Sequence, residues 1–353
     1  MKKYTVIISV LLLALLLLCA CGAKQEPVET PVPAATEVPA VSTPEPTPEP
    51  TPEPTPEPTP PLPVDSNGNF EVYGQTININ DTEVNLSHIK IDDNGAAIAS
   101  MLPFMKNCTL LDLDSCGRGE EFDAAAGKIR EDNPNVKVVW RIWFGENYCY
   151  SVRTDVERIL ASQAAGSISV ENGMDSLKYC TEVKYLDIGH NSDVTNIDFT
   201  AYMPKLEVAI LAMSQWTDCS PLANCPNLWY LEMQTSGCND LSPLAGLKKL
   251  TNLNICYDTA IWDISPLYGL PLERLWIGKL VPVSEKQLNE FKALHPDCKI
   301  NTTTIDPTAE EWRYIFNTET LQNECDPAYE RIREIFEYSN PRSQVFTYND
   351  PLY

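Results

Sequence analysis

Three histidines, His88, His190 and His295, are all the imidazole this sequence has, and none has a cysteine or carboxylate beside it at ligand spacing. No HExxH, GxSxG or glycine-rich phosphate loop occurs, so the residues for zinc hydrolysis, serine acyl transfer and nucleotide chemistry are missing. Asp65, Asn67 and Asn69 open like a calcium loop, but Phe70 stands where the sharp turn needs glycine and Thr76 where the bidentate glutamate belongs. A turn leading from linker to domain accounts for them better. His295 occupies the place of Asn133 in two copies of a short motif, Asn133-Pro134-Asn135-Val136-Lys137-Val138 and His295-Pro296-Asp297-Cys298-Lys299-Ile300, which suits a residue ending a helix. No paired carboxylates or nucleophile constellation stands out. The expectation is a non-enzyme with no cofactor and no metal; a cell-wall hydrolase is the least favoured alternative.

Twelve cysteines remain to be placed. Cys108, Cys180 and Cys225 precede strands at equivalent sites, and Cys219 substitutes for the inward-facing Leu241 and Ile264, as a small buried hydrophobe does. Most are expected to be free buried thiols. The spacing leaves Cys116 with Cys149, or Cys238 with Cys256, open as pairs.

Charge excludes one class of partner. Against 26 Lys+Arg stand 49 Asp+Glu, a formal net charge of -23, which repels nucleic acid and anionic lipid surfaces alike. Any membrane attachment must then be covalent or hydrophobic. Lys2 and Lys3 precede a run from Val6 to Ala20 that is apolar except for Ser9, shorter than the roughly 20 residues of a bilayer span. It reads as an export signal. Its end, Leu18-Cys19-Ala20-Cys21, resembles the bacterial lipobox, which implies a lipoprotein signal peptide over 1–20, acylation of Cys21 and an extracytoplasmic, membrane-anchored chain. Residues 21–64 follow as a Pro/Glu/Thr-rich linker containing the Thr-Pro-Glu-Pro repeats of Thr43 to Pro58. Prolines favour polyproline II and the glutamates repel one another, giving a semi-rigid spacer of up to about 120 Å at ~3.1 Å per residue.

The remaining chain is built on a repeat. Aliphatic residues recur at i, i+3 and i+5 in Val183/Leu186/Ile188, Leu206/Ala209/Leu211, Leu228/Leu231/Met233, Leu250/Leu253/Ile255 and Leu272/Leu275/Ile277, with starts 23, 22, 22 and 22 residues apart. Each unit predicts a short strand with i+3 and i+5 pointing inward. The back of the unit carries Asp218-Cys219-Ser220-Pro221-Leu222, Asp240-Leu241-Ser242-Pro243-Leu244 or Asp263-Ile264-Ser265-Pro266-Leu267, in which Ser is placed to cap a helical turn and Pro to begin it. Leu241, Leu244 and Leu247 then recur every three residues, as in a 3₁₀ turn.

These units resemble the leucine-rich repeats of bacterial internalin-like surface proteins. Asn191 matches the ladder asparagine of that family and Cys116 its cysteine alternative, while Ser214, Ser236 and Asp258 depart from it. The resemblance implies an α/β solenoid with parallel strands on a concave face and short helices on a convex one. It is expected over 65–304, including an N-terminal cap from Phe70 to Leu86. Val84/Leu86, Leu111/Leu113 and Val138/Trp140 are weaker inward pairs of longer units, with helices at Glu120 to Asp132 and, capped by Ser284 with Gln287, at Ser284 to Leu294. Ile142 to Val152 reads as an inserted hairpin. Residues 305–353 are expected to form a helical C-terminal cap, one helix starting at Thr308/Glu311 and carrying Trp312, Ile315 and Phe316, a second starting at Asp326-Pro327.

On the concave sheet the outward columns read Tyr185, Val208, Tyr230, Asn252 and Arg274 at i+2; Asp187, Ile210, Glu232, Asn254 and Trp276 at i+4; and His190, Met213, Thr235, Tyr257 and Lys279 at i+7. Tyr, Trp, Met and Arg dominate interface hot spots. The candidate ligand-binding residues are therefore Tyr185, Asp187, Met213, Tyr230, Glu232, Asn254, Tyr257, Arg274 and Trp276. The expected function is recognition of a protein, peptide or glycan at the cell surface, with a passive envelope scaffold as the alternative. Aromatics packing on one another or on the terminal cap would explain the same columns without a ligand.

Overall fold

A three-residue strand cannot hold itself together, so each aliphatic triplet needs the next unit to cover it. A computed structural model, which describes residues 58–145, 150–162, 168, 172–302, 312–317 and 319–338, shows that stacking. The expected signal segment, Cys21, the expected spacer up to residue 57, residues 146–149 with Cys149, and Thr308 and Glu311 lie outside the described residues.

The domain begins with an antiparallel hairpin, β1 (Asn69–Val72) and β2 (Gln75–Asn78), whose Phe70, Val72 and Ile77 enter the core. Asp65 accepts the backbone N–H groups of Asn67 and Asn69, which makes the preceding segment a turn. Next come β3 (Glu83–Asn85), α1 (Ala96–Met101), β4 (Leu110–Leu113), α2 (Glu120–Asp132) and β5 (Lys137–Phe144). The three strands are parallel, with Val84, Leu111 and Val138 in one register and buried. β6 (Tyr150–Arg153) returns antiparallel on β5, Ile142 opposite Val152, and ends this four-stranded sheet.

A second, seven-stranded parallel sheet follows in sequence order. It contains β7 (Arg158–Leu160), β8 (Tyr185–Asp187), β9 (Val208–Ile210), β10 (Tyr230–Glu232), β11 (Asn252–Asn254), β12 (Arg274–Trp276) and, after α3 (Glu285–Leu294), β13 (Lys299–Asn301). The inward triplets of all five repeats are buried. β7 is a unit the repeat pattern does not announce: Val156, Ile159 and Ala161 take i, i+3 and i+5, but alanine hides the last position and the next unit starts 27 residues on. The architecture is a leucine-rich-repeat solenoid.

Arg130 on α2 ties the two sheets together. Its guanidinium donates to the Val138 carbonyl (2.8 Å), the Tyr179 carbonyl (2.8 Å) and Thr154 Oγ1 (2.9 Å), and lies over the Trp140 ring.

The convex segments of the short repeats are 3₁₀ turns, as at Ser220–Asn224, Ser242–Gly246 and Ser265–Leu267, whereas the longer units that begin with β3, β4 and β12 carry α-helices. The serine, however, does not cap the turn: Cys219, Leu241 and Ile264 stand at the cap position without a side-chain bond, and the aspartate before each of them holds the turn instead. Asp218, Asp240 and Asp263 each accept both the N–H and the hydroxyl of the serine two residues on. Serine is thus the first residue of the turn and proline the second. Ser284 does cap α3, but Gln287 turns away to Asp263, leaving half a capping box. His295 ends α3 as Asn133 ends α2, its N–H bonded to the Phe291 carbonyl.

The strands leave the sheet through one recurring device. His88, Ser115, His190, Met213, Thr235 and Tyr257 all have φ between 58° and 65°, at the same place in six units. Inside that turn Asn191 donates to the Ala161 carbonyl and Cys116 to the Leu86 carbonyl, each reaching the preceding unit. Later units replace the ladder amide: Ser236 N–H and Oγ both donate to Asp258 Oδ1. Burial pushes the Asp258 carboxyl up to about 9, and its Oδ2 has no hydrogen-bond partner among the described residues. The unfolded carboxyl ionises near 3.8. Stability from this group is therefore full below that value and declines as pH rises towards 9. Asp258→Asn keeps the Oδ1 acceptor, removes the proton dependence and leaves the two N–H groups of the amide unpaired in place of the Oδ2 atom. It should stabilise the domain at pH 8 by about 1–2 kcal/mol, a rise in melting temperature of roughly 2–8 °C, with the gain shrinking towards pH 4. Melting curves at the two pH values check this.

No disulfide joins Cys238 to Cys256, and the nine described cysteines are thiols, seven of them buried. The C-terminal region corrects an expectation. Trp312, Ile315 and Phe316 do not belong to a helix: Tyr314–Asn317 is a strand, β14, paired antiparallel with β15 (Gln322–Cys325). The second expected helix is present as α4 (Pro327–Phe336), with Asp326 accepting the Ala328 N–H at its start.

Candidate functional site: the concave sheet and its occupant

Parallel register turns the sequence columns into physical ones. Tyr185, Val208, Tyr230, Asn252, Arg274 and Lys299 align across neighbouring strands, as do Asp187, Ile210, Glu232, Asn254, Trp276 and Asn301. The columns are not open. Asp187, Tyr230, Glu232, Asn254, Arg274 and Trp276 are all buried, Tyr185 and Tyr257 are partly buried, and of the nine candidates only Met213 is exposed, at 45%. The chain's own segment from Trp312 to Tyr338 lies over them.

An apolar cluster holds the segment down. Leu160, Val208, Ile210, Tyr230, Cys256 and Trp276 of the sheet pack with Trp312, Tyr314, Tyr329, Ile332, Phe336 and Tyr338. Trp312 sits between Tyr230 and Trp276, at ring separations of 5.7 and 6.2 Å.

Charge sets the register within this cluster. Glu232, at the centre of the sheet, accepts from Trp312 Nε1 (3.0 Å) and Tyr230 Oη on one oxygen, and from Arg313 Nη2 (3.0 Å) and Gln234 Nε2 (3.3 Å) on the other. Full burial alone would raise this carboxyl, but Arg313 and the three neutral donors hold it below its ordinary value. Arg274 pairs with Asp326 at 2.9 Å, lies over the Trp312 ring and donates to the Trp312 carbonyl. At the other end Tyr338 Oη donates to Asp187 Oδ2 at 2.5 Å. Burial moves Asp187 up to about 6, offset in part by the Tyr338 bond. Arg158 adds a bond to the Ile335 carbonyl and an ion pair to Glu337.

Trp312, Arg313 and Tyr338 are the residues of this site that sequence reading leaves out. A signal for them exists. Val208 and Ile210 place aliphatic side chains in columns that would face water, and the stripe Tyr329, Ile332 and Phe336 on α4 is an apolar face needing a partner.

Strand register, convex 3₁₀ turns and the ladder residues define the class: a leucine-rich-repeat solenoid whose concave face carries a segment of its own chain. Among solved structures it is similar to an internalin, InlF, of Listeria monocytogenes, with TM-score 0.33 and 20% identity over 64% of this chain and 50% of that one. It is similar also to a leucine-rich-repeat protein of Leptospira interrogans (TM-score 0.39, 17% identity, 62% of this chain and 59% of that one). A third is internalin C2 of Listeria monocytogenes (TM-score 0.34, 20% identity, 66% and 88%). The matched part spans only half to three-fifths of the first two. No family model matches the sequence, and no curated protein matches it.

Proposed function

We propose that this chain is a non-enzymatic recognition protein of the extracytoplasmic surface, anchored in the cell membrane through acylated Cys21, spaced from it by residues 21–64, and binding polypeptide along the concave sheet. One observation carries the ligand class. That sheet already seats a polypeptide, Trp312 to Tyr338, through an indole packed edge to face on Trp276 and tilted on Tyr230, and through buried ion pairs at Glu232 and Arg274. Tyr, Trp and Arg in such settings supply most of the affinity at protein interfaces. A partner reaches the same face from the rim, where Met213 and Lys279 are exposed and Tyr257 is half-buried.

A photo-crosslinking residue placed singly at Met213 or Lys279, and as a control at the convex Tyr202, tests this on intact cells. Polypeptide adducts confined to the rim sites support the reading; none, or equal labelling at Tyr202, would overturn it. For the anchor, Cys21→Ala should move nearly all of the protein from the membrane fraction to the medium, as measured by immunoblotting; retention in the membrane contradicts acylation at that residue.

A further inference from the structure

The segment that covers the concave sheet fits it imperfectly. Beneath it, Trp276 Nε1 and Asn254 Nδ2 are buried donors, and Gln234 Oε1 a buried acceptor, without a hydrogen-bond partner among the described residues. Such groups have given up water and gained nothing in return, which weakens the docked state. Beside it, between Trp312, Asp326 and the last strands, remains a cavity of about 280 Å³ lined also by Trp276, Lys299 and Asn301. An element selected only to close the core would be expected to fill that space and satisfy those atoms. At its centre the opposite holds: Glu232 is saturated by four donors, two of them supplied by the consecutive residues Trp312 and Arg313.

We infer that Trp312–Tyr338 is a displaceable occupant, held in cis, of a site whose partner in trans is a polypeptide presenting an aromatic residue followed directly by arginine. This rests on the reading of the concave face as a polypeptide-binding surface. Trp312 and Arg313 show the recognition element: an indole between Tyr230 and Trp276 and a guanidinium on Glu232. Complementary charge favours the same choice, because Glu232 and Asp187 are the acidic groups of the central columns. Only nine residues separate Thr302 from Trp312, so the segment competes intramolecularly for the sheet and a partner in trans must outweigh that advantage. A partner therefore wins by pairing what the tail leaves unpaired, with acceptors for Trp276 and Asn254 and a donor for Gln234.

The test uses the full-length chain. In the Trp312→Ala/Arg313→Ala variant, amide hydrogen exchange across α4 should accelerate at least tenfold while β8 to β12 stay protected. A fluorescein-labelled synthetic peptide of residues 311–338 should then bind that variant at least tenfold more tightly than wild type, by fluorescence anisotropy. Changing Glu232→Gln in the variant, or Arg313→Glu in the peptide, should each remove at least tenfold of that affinity. Unchanged protection of α4 would sink the inference, since the latch would lie elsewhere. So would release of α4 without peptide binding, which makes the segment a cap only. Neither result touches the rim crosslinks, so polypeptide binding by the face can stand when this partner class falls. Equal peptide binding by wild type and variant also overturns it, because the peptide would then use another surface.

Discussion

Arg313→Ala should lower the stability of the docked C-terminal segment by roughly 3–5 kcal/mol, the range found when one member of a buried ion pair is removed. The reason is Glu232. It is fully buried, and among the described residues Arg313 is the one cation that donates to it directly; Trp312, Tyr230 and Gln234 can orient the carboxylate but cannot neutralise it. Without Arg313 the carboxylate must take up a proton, or the segment must lift so that water reaches it. Either way, the loss cannot exceed the free energy that holds the segment in place. Differential scanning calorimetry of Arg313→Ala, Glu232→Gln and the double variant forms a cycle. The double variant should recover at least half of the loss, because it removes the orphaned charge along with its partner. If Arg313→Ala alone shifts stability by less than about 1 kcal/mol, Glu232 is not governed by that pair.

The second large effect belongs to Arg130. Alanine there strips the Val138 and Tyr179 carbonyls and Thr154 Oγ1 of their donor, and removes the plane that lies over Trp140. With charged hydrogen bonds worth about 1.5–3 kcal/mol each, a total loss of about 3–5 kcal/mol is expected after partial rehydration of the freed carbonyls. The form of the loss matters more than its size. A solenoid folds as a sum of neighbouring interfaces, and here the strand ladder is broken between β6 and β7, so side chains such as Arg130 must carry the coupling. Urea unfolding of Arg130→Ala should therefore change from one transition to two, the four-stranded sheet separating from the seven-stranded one. A single transition with an unchanged slope would show that other contacts at the junction suffice.

Periodic features were legible because burial in a stacked fold repeats with the chain. The five aliphatic triplets, the inward pairs Val84, Leu111 and Val138, the hairpin over Ile142 to Val152 and the helix after Asp326-Pro327 all follow from residue type at a fixed spacing. Where a position was softened, the pattern faded: Ala161 conceals β7. The Trp312 to Phe316 stretch departs from its helical pattern for a different reason. Spacings of three and four mimic a helix, but the Tyr-Ile-Phe run is aromatic and β-branched, and it finds β15 as a partner. The occlusion of the concave columns was the least legible feature. Glu232 and Arg313 are 81 positions apart and no spacing rule links them. Composition tells that Val208 and Ile210 should be covered; it does not tell by what.

The left-handed residue that follows the strand in six units has a wider consequence. His88, Ser115, His190, Met213, Thr235 and Tyr257 share little chemistry, yet they adopt one backbone shape. After β8, β9 and β10 the N–H of that residue, in His190, Met213 and Thr235, bonds the neighbouring unit, to the Ala212, Gln234 and Cys256 carbonyls. Main-chain bonding thus enforces a conformation that L-residues adopt at a cost of about 1–2 kcal/mol, and the side chain has no vote in it. Such a row can exchange its members during evolution one at a time, without renegotiating the scaffold, and so gives the molecule an edge on which specificity can drift while the architecture stands still.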